Sequence, residues 1–316
     1  KKFLKKHKIR KYQIILEPFK KNTAAAILTS ALVNEGFFHQ PMIFFSSDNL
    51  IGRLNYFNKS INSHKTYLNE NNVFIFGIKP KIPSSEYGYF LTKKISNKIN
   101  KVSKFIEKPK INKAREIVKK KGYMNSGMFF ARKDSLIRNF IKYRYDIFKY
   151  CNTAVNKSKL YNKVCYLNKS AFQKLPEISF DYAILEKSND INGIKLDLPL
   201  TDLGNWKEIW RFIKKNLSKK FIKKNTFYRP WGKYINLFHG KGFLLKELVV
   251  NPKSSISLQK HYHRSERWTV ISGKPKITIN KRKFYKNPNE SVIIPKGAIH
   301  RIENHFNKPV VIAEVQ

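Results

Sequence analysis

The order of apolar segments changes near residue 222, and this change constrains the fold of the 316-residue chain more than any other feature. Before that point, short apolar runs typical of buried strands alternate with segments of helical spacing. Beyond the lysine-rich stretch 214–224, apolar runs follow one another closely, which indicates an antiparallel barrel or sandwich. The sequence therefore predicts an α/β domain over residues 1–222 and an all-β domain over residues 223–316.

These apolar runs also predict individual elements. In the first domain, strands are expected at 42–45, 73–78, 102–106, 128–131 and 194–198, in a mostly parallel sheet. Helices are expected over 111–121 and after Asn22-Thr23, which we predict to cap an alanine-rich segment. In the second domain, strands are expected at 243–250, 267–272, 275–280, 291–294 and 310–315.

The composition excludes several classes of protein. No uninterrupted apolar run approaches the length that spans a membrane. The formal net charge of +43 would favour nucleic acid if the basic residues were clustered, but they are mostly lysines scattered along the chain. A biased source genome explains them better, so we expect no nucleic-acid partner. The two cysteines, Cys151 and Cys165, lack metal-type spacing, and a reducing cytoplasm is the simplest compartment.

Three histidines and a glutamate in the second domain could converge on one metal ion. His261 and His263 would project from the same face of an extended strand, Glu266 follows three residues later, and His300 arrives after a turn. Imidazoles with a carboxylate suit Zn, Mn, Fe or Co, and the lack of thiolates argues against a closed structural zinc site. The alternative is a set of surface histidines in a basic protein.

Two aspartates follow predicted strands of the first domain. Asp48 comes after 42–45, and Asp202 comes after the run 198–201. Carboxylates brought together at strand ends could hold Mg²⁺ against substrate phosphates, because this ion prefers oxygen ligands. Either aspartate alone could instead cap a helix.

Further polar positions are consistent with a sugar-phosphate site without being specific for it. Glu107 offers an acceptor for sugar hydroxyls and Lys108 a cation for phosphate, or the two form an ordinary surface ion pair. Gly88 would let the backbone approach a ligand closely, or it simply forms a turn. Asn125 could hydrogen-bond a sugar or belong to a turn before its strand.

Seven short segments carry a resemblance in the first domain: Leu16-Glu17-Pro18 with Lys21-Asn22-Thr23-Ala24, Ser47-Asp48-Asn49, Glu86-Tyr87-Gly88-Tyr89, Phe105-Ile106-Glu107-Lys108-Pro109, Asn125-Ser126-Gly127, Phe180-Asp181-Tyr182-Ala183 and Thr201-Asp202-Leu203-Gly204. In this order they resemble the bacterial mannose-1-phosphate guanylyltransferases. The segments around Tyr228, His261 and Pro295 to Asn304 resemble the cupin domain of type II mannose-6-phosphate isomerases. The two domains are fused in the bifunctional enzymes that make GDP-mannose.

The resemblance implies a fold and two reactions. A Rossmann-like α/β nucleotide-diphospho-sugar transferase domain would be followed by an all-β cupin domain, or jelly roll. The first would join GTP and mannose-1-phosphate into GDP-mannose with release of pyrophosphate. The second would interconvert fructose-6-phosphate and mannose-6-phosphate. A homo-oligomer is left open.

The resemblance also implies roles for particular residues. In the cupin domain, Zn, Co or Mn would be held by His261, His263, Glu266 and His300, helped by Gln259, with Arg264 and Arg301 anchoring phosphate or supporting proton transfer. In the transferase domain, Asp48 and Asp202 would hold Mg²⁺. The sugar phosphate would be held by Asn22, Gly88, Glu107, Lys108, Asn125 and Asp181.

The sequence departs from both families at several positions. The glycine-rich loop that cradles the GTP phosphates is not in this sequence, Tyr262 replaces a histidine, and Arg267 replaces another. We therefore expect little guanylyltransferase activity from the polypeptide as given and better retention of isomerase activity. The alternative is a sugar-phosphate-binding remnant whose chemistry has lapsed.

Overall fold

The computed structural model describes residues 2–80, 82–96 and 99–316. The chain forms two compact units, the first made of Lys1–Ser47 and Ile51–Leu200, the second of Asp48–Leu50 and Thr201–Gln316. The division at residue 200 lies about twenty residues before the boundary expected at 222, because the helices that follow it pack on the second unit. None of the helices in the described ranges is long and apolar enough to cross a membrane.

Up to residue 202 the elements are α1 (Lys2–Lys6), β1 (Ile14–Leu16), α2 (Asn22–Val33), β2 (Pro41–Phe44), β3 (Asn49–Ile51), α3 (Leu54–Lys65), β4 (Val73–Ile78), β5 (Tyr89–Lys94), β6 (Asn100–Ile106), α4 (Ile111–Lys119), β7 (Tyr123–Arg132), α5 (Lys133–Tyr143), α6 (Tyr145–Asn156), β8 (Lys159–Tyr161), β9 (Val164–Tyr166), α7 (Lys169–Gln173), a π-helical turn (Asp181–Leu185), β10 (Ile191–Leu196) and β11 (Leu200–Asp202).

The main sheet of the first unit has the strand order β2-β7-β4-β10-β6-β5. Among its pairings in the described ranges, β4 and β10 run parallel, whereas β2–β7, β4–β7, β6–β10, β5–β6 and β5–β7 are antiparallel. The prediction of a mostly parallel sheet is therefore wrong. The reason is that β7 enters antiparallel between β2 and β4, and apolar periodicity carries no information on strand direction.

The sheet of the first unit is covered on both faces. Val73 and Ile75 of β4 belong to one apolar cluster, which contains residues of α2, α5 and α6. Phe74 and Phe76, on the other face, belong to a second cluster that contains Phe57 of α3. Since successive side chains of a strand point to opposite faces, this alternation explains why the segment is apolar throughout.

The helix predicted to be capped by Asn22-Thr23 is present, but its capping differs. α2 begins at Asn22, whose φ of 66° lies in the left-handed region. The Asn22 side chain accepts a hydrogen bond from the backbone N–H of Thr23, its direct neighbour, rather than from a residue further into the helix. The Thr23 hydroxyl instead accepts from the backbone N–H of Phe180.

From residue 206 the elements are α8 (Trp206–Asn216), α9 (Lys219–Lys224), β12 (Thr226–Arg229), β13 (Gly232–Gly240), β14 (Phe243–Val250), β15 (Gln259–Lys260), β16 (Glu266–Ser272), β17 (Lys276–Ile279), β18 (Arg282–Tyr285), β19 (Ser291–Ile294), β20 (Ile299–Glu303) and β21 (Val310–Val315).

The second unit is a pair of antiparallel sheets, with strand orders β12-β13-β14-β21-β16-β19 and β15-β20-β17-β18. Both sheets contribute to one apolar core, which includes Trp268 of β16 and Ile277 of β17. Strands β14, β19 and β21 have the predicted bounds, β16 begins one residue earlier than predicted, and β17 is one residue shorter at each end. β20, which carries His300, follows its turn directly and was not predicted as a separate strand.

A buried carboxylate holds α8 on the sheet of the second unit. The Trp210 indole donates to Glu247 over 2.7 Å, and the Lys214 ammonium contacts both oxygens of the same carboxylate. Glu247 is buried on β14, and the apolar face of α8 packs against Ile235 and Leu245. These contacts explain why residues 206–216 belong to the second unit.

Candidate metal centre and sugar-phosphate site

His261, Glu266 and His300 bring three ligand-type atoms together, all within 4.8 Å of one another. The Nε2 atom of His261 lies 3.3 Å from Oε1 of Glu266, and Nε2 of His300 lies 3.5 Å from Oε2. Glu266 and His300 are buried, while His261 is partly exposed. Two imidazoles and one carboxylate thus face a common point, which is the arrangement that a divalent ion requires.

Strand pairing places these side chains. β15 pairs antiparallel with β20 so that Gln259 lies opposite His300, and β17 pairs on the other side of β20. Along β20, His300 and Ile302 are buried, whereas Ile299 and Arg301 are more exposed, as the two-residue period of a strand requires. Gln259 is therefore next to the centre through its backbone pairing with His300.

The buried His300 ring is oriented as a metal ligand would be. Its Nδ1 lies 2.9 Å from the carbonyl oxygen of Ala298, and because a carbonyl only accepts, Nδ1 carries the proton. Its Nε2 is buried and makes no hydrogen bond within the described residues. A buried imidazole nitrogen with a free lone pair beside a carboxylate fits a metal ion such as Zn, Co or Mn.

Arg264 contacts two atoms of the cluster. Its Nη2 donates to Nε2 of His261 over 2.8 Å, and its Nε donates to Oε1 of Glu266 over 2.9 Å. Burial and the neighbouring Arg264 cation lower the pKa of His261. Burial opposes ionisation of Glu266, but His300 and Arg264 together hold the pKa of this carboxyl below its usual value. Burial lowers the pKa of His300, and the nearby Glu266 and the Ala298 carbonyl raise it more.

Two predicted residues lie outside this centre. β15 ends at Lys260 and the chain bends at Tyr262 and His263, so His261 and His263 do not share the face of one strand. His263 is exposed, and the cluster does not include it. Arg301 alternates with His300 along β20 and pairs instead with Glu303, at 3.2 Å.

Several residues around Glu266 were not found from the sequence. The Trp268 indole donates to Glu266 over 3.2 Å and to Glu314 over 3.0 Å. The Gln316 side-chain amide contacts the same two carboxylates, and Lys246 lies 3.6 Å from Glu314. Burial and the Glu266 charge raise the pKa of Glu314. The one carboxylate within the otherwise apolar strand β21, Glu314, was the available signal.

Asp48 and Asp202 approach one another at Gly204 in the second unit. The Gly204 N–H donates to Asp202 over 2.7 Å, and the Leu203 N–H donates to the Asp48 carbonyl over 2.8 Å. A Cβ added to Gly204 would lie 2.8 Å from one Asp48 carboxylate oxygen and 2.9 Å from one Asp202 oxygen. Both carboxylates therefore crowd the same glycine, and their hard oxygen atoms suit Mg²⁺.

In the first unit, four of the predicted sugar-phosphate residues come together. The Asn125 side-chain amide donates to Asp181 over 2.8 Å, and its backbone N–H donates to the Gly88 carbonyl over 2.8 Å. A Cβ added to Gly88 would lie only 2.4 Å from one oxygen of the Glu107 carboxylate, so this carboxylate lies close to the Gly88 backbone. The result is a cluster of two carboxylates and an amide against the buried backbone of Gly88.

Electrostatics make this cluster sensitive to pH near neutrality. Burial, reinforced by the Asp181 charge, raises the pKa of Glu107 to about 7. Burial also raises the pKa of Asp181 to about 6, although Asn125 donates to this carboxylate. Carboxyl groups with such pKa values can change from acceptors to donors of hydrogen bonds between pH 5 and 8.

The remaining predicted residues of this group lie less centrally. Lys108 is exposed, with a φ of 44°, and its charge acts on both Glu107 and Asp181. Asn22 is exposed, and its described side-chain contact is with Thr23 of its own helix.

Comparison with known proteins assigns both parts of the chain. The family described as nucleotidyl transferase matches residues 2–219. The chain belongs to the nucleotidyl transferase family. Residues 216–316 match the family described as mannose-6-phosphate isomerase C-terminal. The predicted family, and the predicted order of a transferase domain and an isomerase domain, are thereby confirmed.

Relatives of this nucleotidyl transferase family member extend over nearly the whole chain. The mannose-1-phosphate guanylyltransferase of Klebsiella pneumoniae is 27% identical, and the alignment covers 96% of this chain and 79% of that protein. The alginate biosynthesis protein AlgA of Pseudomonas aeruginosa is 26% identical over 96% of this chain and 78% of that protein.

Solved structures agree with the fold. A mannose-6-phosphate isomerase from Helicobacter pylori is 29% identical, with a TM-score of 0.57 over 63% of this chain and 79% of that one. A Thermus thermophilus protein described as mannose-1-phosphate geranyltransferase is 23% identical, with a TM-score of 0.54 over 62% of this chain and 56% of that one. The second likeness supports the fold alone.

Proposed function

We propose that the second unit is a metal-dependent mannose-6-phosphate isomerase. The observation that carries the proposal is the convergence of the Nε2 atoms of His261 and His300 on the buried carboxylate of Glu266. The names of the matched family and of the Helicobacter pylori relative support the substrate class. His261, Glu266 and His300 would hold Zn, Co or Mn, with Gln259 adjacent. Whether His263 takes part stays a prediction.

The chain's own residues would orient the sugar phosphate and handle the proton. A bound divalent ion would polarise the sugar carbonyl and favour proton transfer between C1 and C2. Arg264 already donates to His261 and Glu266. An imidazole Nε2 has one lone pair, so Nε2 of His261 can either accept a hydrogen bond from Arg264 or bind a metal ion. When it binds the metal ion, Arg264 would be free to face the substrate phosphate. Trp268 would keep Glu266 in place.

Isomerisation of mannose-6-phosphate to fructose-6-phosphate by the purified chain tests this proposal. After chelation, activity should disappear and should return with added Zn, Co or Mn. Full activity in metal-free protein would contradict it. Binding of the sugar phosphate without turnover in every metal would favour the lapsed remnant.

A second activity is supported by the cluster of Gly88, Glu107, Asn125 and Asp181. We propose that these residues hold the sugar of mannose-1-phosphate for guanylyl transfer from GTP. Carboxylate and amide groups would accept hydrogen bonds from sugar hydroxyls, and Gly88 lets the Glu107 carboxylate lie close to the backbone beside Asn125. Asp48 and Asp202 would hold Mg²⁺, which would neutralise phosphate charge. Lys108 would contribute a cation near the sugar.

GDP-mannose formation from GTP and mannose-1-phosphate is the direct test. Asp48→Asn and Asp202→Asn should each lower Mg²⁺-dependent turnover at least about 100-fold, because each removes a charged oxygen ligand. Asp197→Asn is the matched control, since this side chain is almost fully exposed. Turnover that is measurable in the parent and equal in all three variants would contradict the assignment of the magnesium ligands. A cytoplasmic location and a homo-oligomeric state stay predictions.

A further inference from the structure

A third carboxylate lies beside the sugar-phosphate cluster of the first unit. Glu186 follows the π-helical turn Asp181–Leu185, and its Oε1 accepts a hydrogen bond from the backbone N–H of Glu107 over 3.0 Å. The two residues are 79 positions apart in the chain. This bond therefore ties the loop after β6 to the turn that carries Asp181.

The backbone leaves the strand direction at Glu107. β6 ends at Ile106, Lys108 adopts a φ of 44° that is unfavourable for a residue with a side chain, and Pro109 has no N–H to donate. The Glu107 N–H is the first backbone donor beyond β6, where the chain turns away from the strand. A charged acceptor on this donor forms a stronger hydrogen bond than a neutral one.

We propose that Glu186 is a positioning residue that holds Glu107 against Gly88 and Asn125, so that the Glu107 carboxylate meets the hydroxyl groups of the bound sugar phosphate. The inference rests on the proposed guanylyltransferase site and names a residue that contacts the loop, not the sugar. Glu186 is exposed, and the next helix, α4, begins only at Ile111. The hydrogen bond between Glu107 and Glu186 is therefore exposed to solvent.

Glu186 also contributes charge to the cluster. Its carboxylate acts to raise the pKa of both Glu107 and Asp181. Removing this charge while keeping an oxygen acceptor should lower the pKa of Glu107. A lowered pKa of Glu107 in this variant would distinguish an electrostatic and positioning role of Glu186 from a contribution to stability alone.

Titration calorimetry with mannose-1-phosphate on the whole chain tests the inference with three variants. Glu186→Ala removes both acceptor and charge and should weaken binding about tenfold, the value of one hydrogen bond to a charged group. Glu186→Gln keeps an acceptor and should bind within about threefold of the parent, with its pH dependence displaced to lower pH. Glu35→Gln removes an exposed carboxylate outside these contacts and should leave binding unchanged.

The outcomes separate the inference from the proposed function. If the parent chain does not bind mannose-1-phosphate, the sugar-phosphate site itself is wrong and the inference is overturned with it. If the parent binds and Glu186→Ala binds equally well, only the inference is overturned. Binding by Glu186→Gln that is as weak as that of Glu186→Ala, with unchanged pH dependence, would also overturn it. Thermal unfolding of each variant confirms that the fold is retained.

Discussion

His300 donates its Nδ1 proton to the Ala298 carbonyl over 2.9 Å, and this bond turns its Nε2 toward Glu266. Replacing His300 by alanine removes a buried imidazole of the proposed metal centre, so we expect metal affinity to fall at least about 100-fold and isomerase activity to be lost. Titration of metal-free protein with Zn²⁺ measures the affinity. His239→Ala is the control, since His239 is exposed and outside the cluster. Equal losses in both variants would show that the cluster is not the centre.

Trp268 is expected to support the metal centre from behind Glu266. Trp268→Phe keeps an aromatic ring in the core but removes the indole N–H that both Glu266 and Glu314 accept. Metal affinity should fall about tenfold, as for other hydrogen bonds to metal ligands. Trp231→Phe provides a control, because Trp231 packs against the same core and is not among these donors. Unchanged metal affinity in Trp268→Phe would argue against this support.

Stability should depend on pH through Glu107. Because burial raises its pKa to about 7, the folded state disfavours the ionised carboxylate, and this penalty grows from about pH 4.5 and is complete above about pH 7. Glu107→Gln should therefore stabilise the protein by on the order of 1 kcal/mol at pH 8 and by much less at pH 4.5. Urea unfolding at the two pH values measures the difference. Glu35→Gln, an exposed carboxylate, should show no such dependence.

Glu247 should matter for stability rather than for chemistry. Glu247→Ala leaves the Trp210 indole and the Lys214 ammonium without their shared acceptor and should lower the free energy of unfolding by about 1–3 kcal/mol. Glu208→Ala breaks only a more exposed pair with Arg211 and should lower it by less than about 1 kcal/mol. Chemical denaturation compares the two. Similar values for both variants would mean that α8 is not held by Glu247.

Much of the fold could be predicted because the segments that are buried are also apolar in sequence. β4 is apolar on both faces and was predicted with its observed bounds, as were β14, β19 and β21. The direction of β7 could not be predicted, because it depends on which strands pair with β7, and apolar periodicity does not specify those partners. β20 was missed as a strand because its five residues, Ile-His-Arg-Ile-Glu, do not alternate between apolar and polar, although their burial does.

Part of each candidate site could also be predicted, because residue type and spacing are visible in the sequence whereas long-range contacts are not. His261, Glu266 and His300 were found from residue type and approximate spacing, and the cluster of Glu107, Asn125 and Asp181 followed from the family resemblance. His263 was included because extended geometry was assumed where the chain bends. Trp268, Glu314 and Glu186 were missed, since their roles depend on hydrogen bonds between residues that are distant in sequence.

Asn304 follows β20 and is fully buried, with its side-chain amide donating to the carbonyl oxygens of Val250, Asn251 and Lys308. It anchors the far end of β20, while the turn at Gly297 sets the near end. Between these two anchors, deletion or insertion of a single residue would exchange the faces of His300 and Arg301. We therefore expect the second unit to tolerate many substitutions along β20 but no change in the length of this strand. In evolution, the imidazole of His300 would then be lost from the cluster only by substitution of that residue.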